Sequence, residues 1–86
     1  MKELTILITD WCPYCNRALK WVDELQKEDS RFKEIAVTVI DEEKEPELSK
    51  KFDYYYVPTY YVGDIKLHEG ATSKEQLIAA FEEAIK

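Results

Sequence analysis

Two cysteines separated by two residues lie where a strand-like segment of the chain is followed by a helix-like segment. Residues 4–9 are almost continuously apolar and rich in β-branched side chains, which is typical of a strand covered on both faces. From residue 13 to residue 27, apolar side chains recur at helical spacing and include Cys15. We therefore expect Cys12 and Cys15 at the turn from a buried strand into an amphipathic helix.

The next segments continue this alternation of strands and helices. Residues 35–40 are apolar and predict a second strand, which would lie parallel to the first after a right-handed helical crossover. Residues 41–47 contain five acids and one lysine and are interpreted as a solvated loop. Residues 48–52 predict a short helix with Pro46 in its first turn. The first half of the chain thus predicts the order β-α-β-α.

The second half of the chain predicts a hairpin and a last helix. Residues 59–62 and 65–68 predict two short antiparallel strands, because the Gly-Asp pair between them suits a tight turn. Two overlapping capping boxes, which begin at Thr72 and at Ser73, predict the start of the last helix. The complete order is β-α-β-α-β-β-α, which indicates one α/β domain over residues 1–86.

Size and charge exclude several classes of protein. A chain of 86 residues has room for one hydrophobic core, so we expect a single domain and a monomer. Its 12 Lys and Arg against 18 Asp and Glu give a net charge of −6, the wrong sign for binding nucleic acid through its phosphates. No apolar run approaches the about 18–20 residues that cross a bilayer, and the first residues lack the pattern of a secretory signal. The expected location is cytoplasmic, with neither membrane nor nucleic acid as a partner.

The position of the two cysteines predicts different roles for their sulfur atoms. If Pro13 is the first helical residue, Cys12 is the N-cap, and its sulfur faces unpaired N–H groups at the positive end of the helix dipole. Such a position stabilises a thiolate, the nucleophile of disulfide exchange. Cys15 lies on the apolar face, so it should stay shielded and protonated until Cys12 is bonded to a substrate. We predict that Cys12 attacks and that Cys15 resolves.

The motif Cys-Pro-Tyr-Cys at residues 12–15 resembles the active site of dithiol glutaredoxins, and the whole chain resembles the thioredoxin superfamily. Val-Pro-Thr at residues 57–59 matches the superfamily's cis-proline segment, which lies opposite the cysteines, while residues 69–77 are more similar to the thioredoxin branch. The resemblance implies a thioredoxin-like fold, with a four-stranded mixed sheet of order 2-1-3-4 flanked by three helices. It also implies a thiol–disulfide oxidoreductase that reduces protein or small-molecule disulfides by a dithiol mechanism.

The resemblance further implies a substrate groove around the cysteines. Val57, just before the cis-proline, would lend backbone hydrogen bonds to an extended segment of a disulfide-containing protein. Exposed aromatic side chains would form the apolar walls of the groove, although Trp11 has a second interpretation as a core aromatic residue. The predicted substrate-binding residues are Trp11, Pro13, Tyr14, Tyr56, Val57, Pro58 and Ala71.

Both branches of the superfamily have accessory groups that this sequence lacks. Glutaredoxins usually carry a basic residue two or three positions before the first cysteine, whereas Asp10 stands here and would repel the carboxylates of glutathione. Thioredoxins usually have a buried aspartate six residues before the first cysteine, where this chain has Ile6. The expected electron donor is a reductase or glutathione, with glutathione as a weak partner.

The residues alone leave other functions open. A glutaredoxin-like dimer could hold an iron–sulfur cluster through Cys12 and glutathione, the chain could use glutathione-linked monothiol exchange, or the fold could serve as an interaction module without turnover. A zinc site would need His68, the sole histidine, which is expected to face solvent. We expect no metal and no bound cofactor, because the redox-active disulfide itself carries the electrons.

Overall fold

Strands and helices alternate along the chain in the computed structural model, which describes residues 2–86. The elements are β1 Leu4–Ile8, α1 Pro13–Glu28, β2 Val37–Asp41, α2 Pro46–Ser49, β3 Thr59–Val62, β4 Ile65–Glu69 and α3 Lys74–Ala84. The strands form one sheet of order β2-β1-β3-β4, in which only β1 and β2 are parallel. The predicted mixed sheet with three helices is therefore confirmed. Within residues 2–86, no helix is long and apolar enough to cross a membrane.

The central strand β1 is buried because both of its faces are covered. Leu4, Ile6 and Ile8 belong to a large core cluster that includes the buried faces of α1 and α3, whereas Leu7 joins a smaller cluster. This alternation follows from the period of two along a strand. Each fully buried Leu or Ile side chain contributes about 1.5–3 kcal/mol to folding. The two clusters fix the position of β1, whose carboxyl end leads to the cysteines.

Side-chain caps define where the two long helices begin. Cys12 is the N-cap of α1 and Pro13 is its first residue, as the sequence predicts. At α3, the hydroxyl of Ser73 accepts the N–H of Gln76, and the side-chain oxygen of Gln76 accepts the N–H of Ser73. Of the two overlapping capping boxes, the one that begins at Ser73 therefore forms. Such a cap contributes about 1 kcal/mol to helix stability.

The strand β2 and the short helix α2 differ most from their predicted bounds, while β1 and β4 differ by one residue at their ends. The strand β2 begins at Val37 rather than at Ile35, because the preceding link is held by the side chain of Gln26. Its amide donates to the carbonyl oxygens of Phe32 and Ile35, each at 3.0 Å, and both of these side chains are buried. The apolar character of Ile35 thus reflects core packing rather than strand pairing. The short helix spans Pro46–Ser49 instead of 48–52, since proline is favoured at the first helical position.

Candidate active site

Cys12 turns the chain from the end of β1 into α1. Its backbone is extended (φ −86°, ψ 115°), and its Sγ accepts a hydrogen bond from the backbone N–H of Cys15 at an N···S distance of 3.3 Å. Its carbonyl oxygen accepts the N–H of Asn16 at 3.1 Å, which begins the hydrogen-bond ladder of the helix. The positive end of the helix dipole lies at this position and favours negative charge there. The sulfur of Cys12 is therefore placed as the sequence predicts.

Cys15 lies one helical turn further on and is completely enclosed. Its exposed fraction is 0%, against 6% for Cys12, and both belong to the large core cluster. Burial, with a smaller contribution from the neighbouring Cys12, raises the pKa of Cys15 to about 12. Both cysteines are free thiols in this structure. Cys15 is consequently protonated at neutral pH. Both cysteines are buried, Cys12 slightly less than Cys15.

A tyrosine lies beside the position where thioredoxins usually have an acid. Ile6 pairs across the sheet with Tyr60 of β3, and both side chains enter the large core cluster that contains Cys15. The hydroxyls of Tyr60 and Thr72 are buried neighbours, yet neither has a partner with hydrogen-bond geometry among the described residues. Burial raises the pKa of Tyr60, which stays protonated. The sequence analysis missed this group because its place depends on the register of β1 and β3.

The pre-β3 loop, residues 53–58, brings the predicted cis-proline segment to the core cluster that contains the cysteines. The peptide bond between Val57 and Pro58 is cis, as the resemblance implies. Pro58 is buried, and the half-buried side chain of Val57 packs against the core cluster that includes both cysteines. Neither the N–H nor the C=O of Val57 has a hydrogen-bond partner among residues 2–86. These two groups are free to bond to another chain.

The predicted groove residues outside the core are exposed. The exposed fractions are 71% for Trp11, 52% for Tyr14 and 70% for Tyr56, so the interpretation of Trp11 as a core aromatic residue is wrong. Pro13 and Ala71 are exposed as well. Exposed aromatic side chains are common where proteins bind other proteins, because they bury a large area at a small cost in conformational entropy.

The 42–45 loop, between β2 and α2, contacts the two residues that precede Cys12. The indole Nε1 of Trp11 donates to a carboxylate oxygen of Glu43 at 2.7 Å, and the Nζ of Lys44 lies 3.2 Å from a carboxylate oxygen of Asp10. The acidic segment is a solvated loop, as expected, but it also makes these two surface contacts with the residues before Cys12. The parallel pairing of β1 with β2 causes these contacts, because it brings the carboxyl ends of both strands to one edge of the sheet.

His68 does not face solvent as expected. It is half-buried on β4, its Nε2 lies 3.0 Å from the carbonyl oxygen of Ala71, and its Nδ1 lies 3.4 Å from the amide of Gln76. These bonds connect β4 to the start of α3. No group of three or more His, Cys, Asp or Glu side chains within residues 2–86 has an arrangement that would hold a metal ion.

A 2-1-3-4 sheet, a Cys-x-x-Cys pair at the start of the first helix and a cis-proline before the third strand define a domain of the thioredoxin fold. The profile of the thioredoxin domain family matches residues 2–83 of this sequence. The chain therefore belongs to the thioredoxin domain family, which confirms the predicted superfamily. Its fold and its cysteine pair are those of thiol–disulfide oxidoreductases.

Solved structures with this fold have low sequence identity to the chain. A protein described as a malarial protein is 24% identical, covers 96% of both chains and has a TM-score of 0.71. Oxidised thioredoxin from Plasmodium falciparum is 19% identical, with a TM-score of 0.72 over 99% of this chain and 84% of its own. The germline-specific thioredoxin Deadhead from Drosophila melanogaster is 20% identical, with a TM-score of 0.67 over 95% and 81%. No curated protein matches the sequence significantly.

Proposed function

We propose that this chain reduces disulfide bonds in other proteins by a dithiol mechanism. The observation that carries the proposal is the contrast between two sulfur atoms one helical turn apart. Cys12 caps α1 and is 6% exposed, whereas Cys15 is 0% exposed and burial raises its pKa to about 12. This contrast supports Cys12 as the sulfur that a substrate meets first and Cys15 as the sulfur that then reacts with Cys12.

In the first step, the thiolate of Cys12 attacks one sulfur of the substrate disulfide. The substrate S–S bond breaks, a mixed disulfide forms between Cys12 and the substrate, and the other substrate sulfur leaves as a thiolate that takes up a proton. The N–H of Cys15, which already points at the sulfur of Cys12, and the helix dipole favour negative charge on the attacking atom.

In the second step, Cys15 loses its proton to solvent and attacks the sulfur of Cys12. The mixed disulfide breaks, the second substrate sulfur leaves as a thiol, and the bond between Cys12 and Cys15 closes, so that two electrons have passed to the substrate. Burial is the largest cause of the raised pKa of Cys15, and the free Cys12 sulfur adds to it. This second contribution is absent once Cys12 is bonded to substrate, which removes one of the causes that disfavour the Cys15 thiolate.

The proposed substrate is an extended polypeptide segment. The free N–H and C=O of Val57 would pair with that segment as an added strand does, with Pro58 holding the segment opposite Cys12. The exposed side chains proposed as the walls of this groove are Trp11, Pro13, Tyr14, Tyr56 and Ala71.

The proposed electron donor is a flavoprotein reductase, with glutathione as a weak reductant. The surface beside Trp11 carries Asp10 and the three acids of the 42–45 loop, while its lysine is paired with Asp10. Glutathione is an anion, so this surface opposes its binding. Reduction of the oxidised protein by NADPH and thioredoxin reductase, compared with glutathione and its reductase, separates the two donors.

Trapping of the covalent intermediate tests the mechanism. Cys12→Ser should abolish reduction of protein disulfides, whereas Cys15→Ser should accumulate a mixed disulfide with the substrate that mass spectrometry detects. The double variant provides the control for nonspecific adducts. Full turnover of protein disulfides by Cys15→Ser would overturn the dithiol mechanism.

A further inference from the structure

Side chains, rather than neighbouring strands, hold the backbone of the pre-β3 loop. The hydroxyl of Tyr61 accepts the N–H of Asp53 at 3.1 Å and donates to the carbonyl oxygen of Asp53 at 2.7 Å. The hydroxyl of Thr59 donates to the carbonyl oxygen of Tyr56. A loop that is held in this way has the conformation that those few side chains impose on it.

Glu69, the last residue of β4, holds two consecutive peptide groups of this loop. One of its carboxylate oxygens accepts the backbone N–H groups of both Tyr55 and Tyr56, the latter at 2.9 Å. Its other oxygen lies 2.8 Å from the Nζ of Lys66, which leaves the Glu69 side chain 18% exposed. The bond from Lys66 and the two backbone N–H groups lower the pKa of Glu69, so its carboxylate is ionised at neutral pH.

The two peptide N–H groups that Glu69 holds belong to the residues directly before Val57, whose own N–H and C=O are free. Glu69 is the cross-strand partner of Thr59, and the N–H of Gly70 bonds to the carbonyl oxygen of Pro58 at 2.9 Å. The backbone on the N-terminal side of Val57 is therefore fixed through Glu69, and the backbone on its C-terminal side is fixed by β-sheet pairing. The side chains of Tyr55 and Tyr56 are 85% and 70% exposed, so the clamp acts on their backbone and leaves their rings in solvent.

We propose that Glu69 is a positioning residue that holds residues 55–57 in one fixed, bent conformation, and that it thereby gives the enzyme a preference for polypeptide disulfides over small ones. This inference rests on the proposed function of the cysteine pair. An extended polypeptide must pair with the edge at Val57, so it gains from an edge that is ordered before binding. A small disulfide needs only the sulfur of Cys12 and gains nothing from that order.

The test compares Glu69→Ala with Glu69→Gln on two substrates. Insulin is the polypeptide disulfide, and its reduction is followed through the reduced chains that form. Hydroxyethyl disulfide is the small substrate. Glu69→Ala should raise the KM for insulin about tenfold with kcat nearly unchanged, because two hydrogen bonds to a charged acceptor are lost before the substrate binds. Its kcat/KM for hydroxyethyl disulfide should change less than about twofold. Glu69→Gln should stay within about threefold of the wild type on insulin, since its amide oxygen can still accept both N–H groups.

Glu83→Ala is the matched control. Like Glu69, Glu83 is ion-paired with a lysine three residues away, Lys86, at 2.9 Å, but it lies on α3 outside the pre-β3 loop. It should leave the KM for insulin unchanged although it removes the same charge. The melting temperature of each variant identifies any that unfold. If Glu69→Ala unfolds, Glu69→Asp takes its place, because its shorter side chain cannot reach both N–H groups and the same rise in the KM for insulin is expected.

The possible outcomes separate this inference from the proposed function. An active wild type combined with an unchanged insulin KM in Glu69→Ala would overturn the role of Glu69 and leave the dithiol reaction standing. Equal losses on both substrates would also overturn it, because a general structural defect explains them. A wild type that reduces neither substrate would overturn the proposed function and, with it, the inference.

Discussion

The indole of Trp11 is hydrogen-bonded to the carboxylate of Glu43, 32 residues further along the chain, at 2.7 Å. This bond gives an exposed aromatic side chain beside Cys12 a fixed orientation instead of a free one. An aromatic surface that is ordered in advance loses less entropy when a partner covers it. In the proposed reaction the 42–45 loop would therefore belong to the surface that a substrate meets, although it contributes no sulfur chemistry.

Glu43→Ala should release the indole of Trp11. We expect the kcat/KM for a protein disulfide to fall about two- to fivefold, because one partly exposed hydrogen bond of about 0.5–1 kcal/mol no longer orders the surface. Steady-state kinetics on insulin measure this effect, and tryptophan anisotropy in a Trp21→Phe background reports the freedom of the ring. Glu47→Ala, at an exposed acid of α2, is the control for lost charge. Unchanged kinetics and unchanged anisotropy would contradict this role of Glu43.

Alkylation should distinguish the two thiols. Iodoacetamide at about pH 8 should modify Cys12 and leave Cys15 unmodified, because Cys15 is fully buried and its raised pKa of about 12 keeps it protonated. Peptide mass spectrometry over time identifies the labelled residue, and labelling of both cysteines in urea is the control. Equal rates for the two residues in the folded protein would show that the enclosure of Cys15 is not effective.

Asp10→Asn should improve the weak reaction with glutathione. The substitution removes an acid two residues before Cys12 and frees Lys44, whose ammonium group is then available to an anionic thiol. We expect glutathione-dependent turnover to rise about 1.5- to 5-fold, the range for an exposed charge contributing about 0.2–1 kcal/mol. The gain should shrink at high salt, whereas the wild-type rate should change less. A gain that is insensitive to salt would mean that charge is not its cause.

Tyr60→Phe should leave the protein as stable as the wild type or more stable by up to about 1 kcal/mol. A buried hydroxyl without a hydrogen-bond partner costs about 1–3 kcal/mol, and phenylalanine removes it while keeping the ring. Tyr61→Phe is the matched control on the next residue of β3. It removes a hydroxyl that bonds to both backbone groups of Asp53, so it should destabilise the protein by about 1 kcal/mol or more. Urea unfolding measures both variants, and a larger loss for Tyr60→Phe would show that its hydroxyl has a partner.

The cysteine pair and the cis-proline segment could be predicted because each is recognised from residues that are adjacent in the sequence. Cys12 and Pro13 lie next to each other in a helix cap, and Val57 and Pro58 form one peptide bond, so neighbouring residues carry the whole signal. The order of strands and helices along the chain is likewise visible in short periodic patterns. The order of the strands in the sheet came instead from the resemblance to the superfamily.

The contacts that were missed join residues that are distant in sequence. The sequence places Asp10 as an acid that would repel glutathione, but only the pairing of β1 with β2 brings it to Lys44. Glu69 carries no local signal, and its bonds to Tyr55 and Tyr56 exist because β4 pairs with β3. No periodicity or spacing predicts such pairs, since each depends on the register of two paired strands, that is, on which of their residues lie opposite each other.

The enclosure of Cys15 also bears on how long a captured partner stays attached in the proposed reaction. Once a substrate is bonded to Cys12, its release by the dithiol route waits until a buried thiol gives up its proton. The covalent complex therefore lasts longer than it would with an exposed second thiol of ordinary acidity. During that dwell time a free thiol from solution competes with Cys15 for the same sulfur. The concentration of small thiols around the protein would then decide how often the bond between Cys12 and Cys15 closes at all.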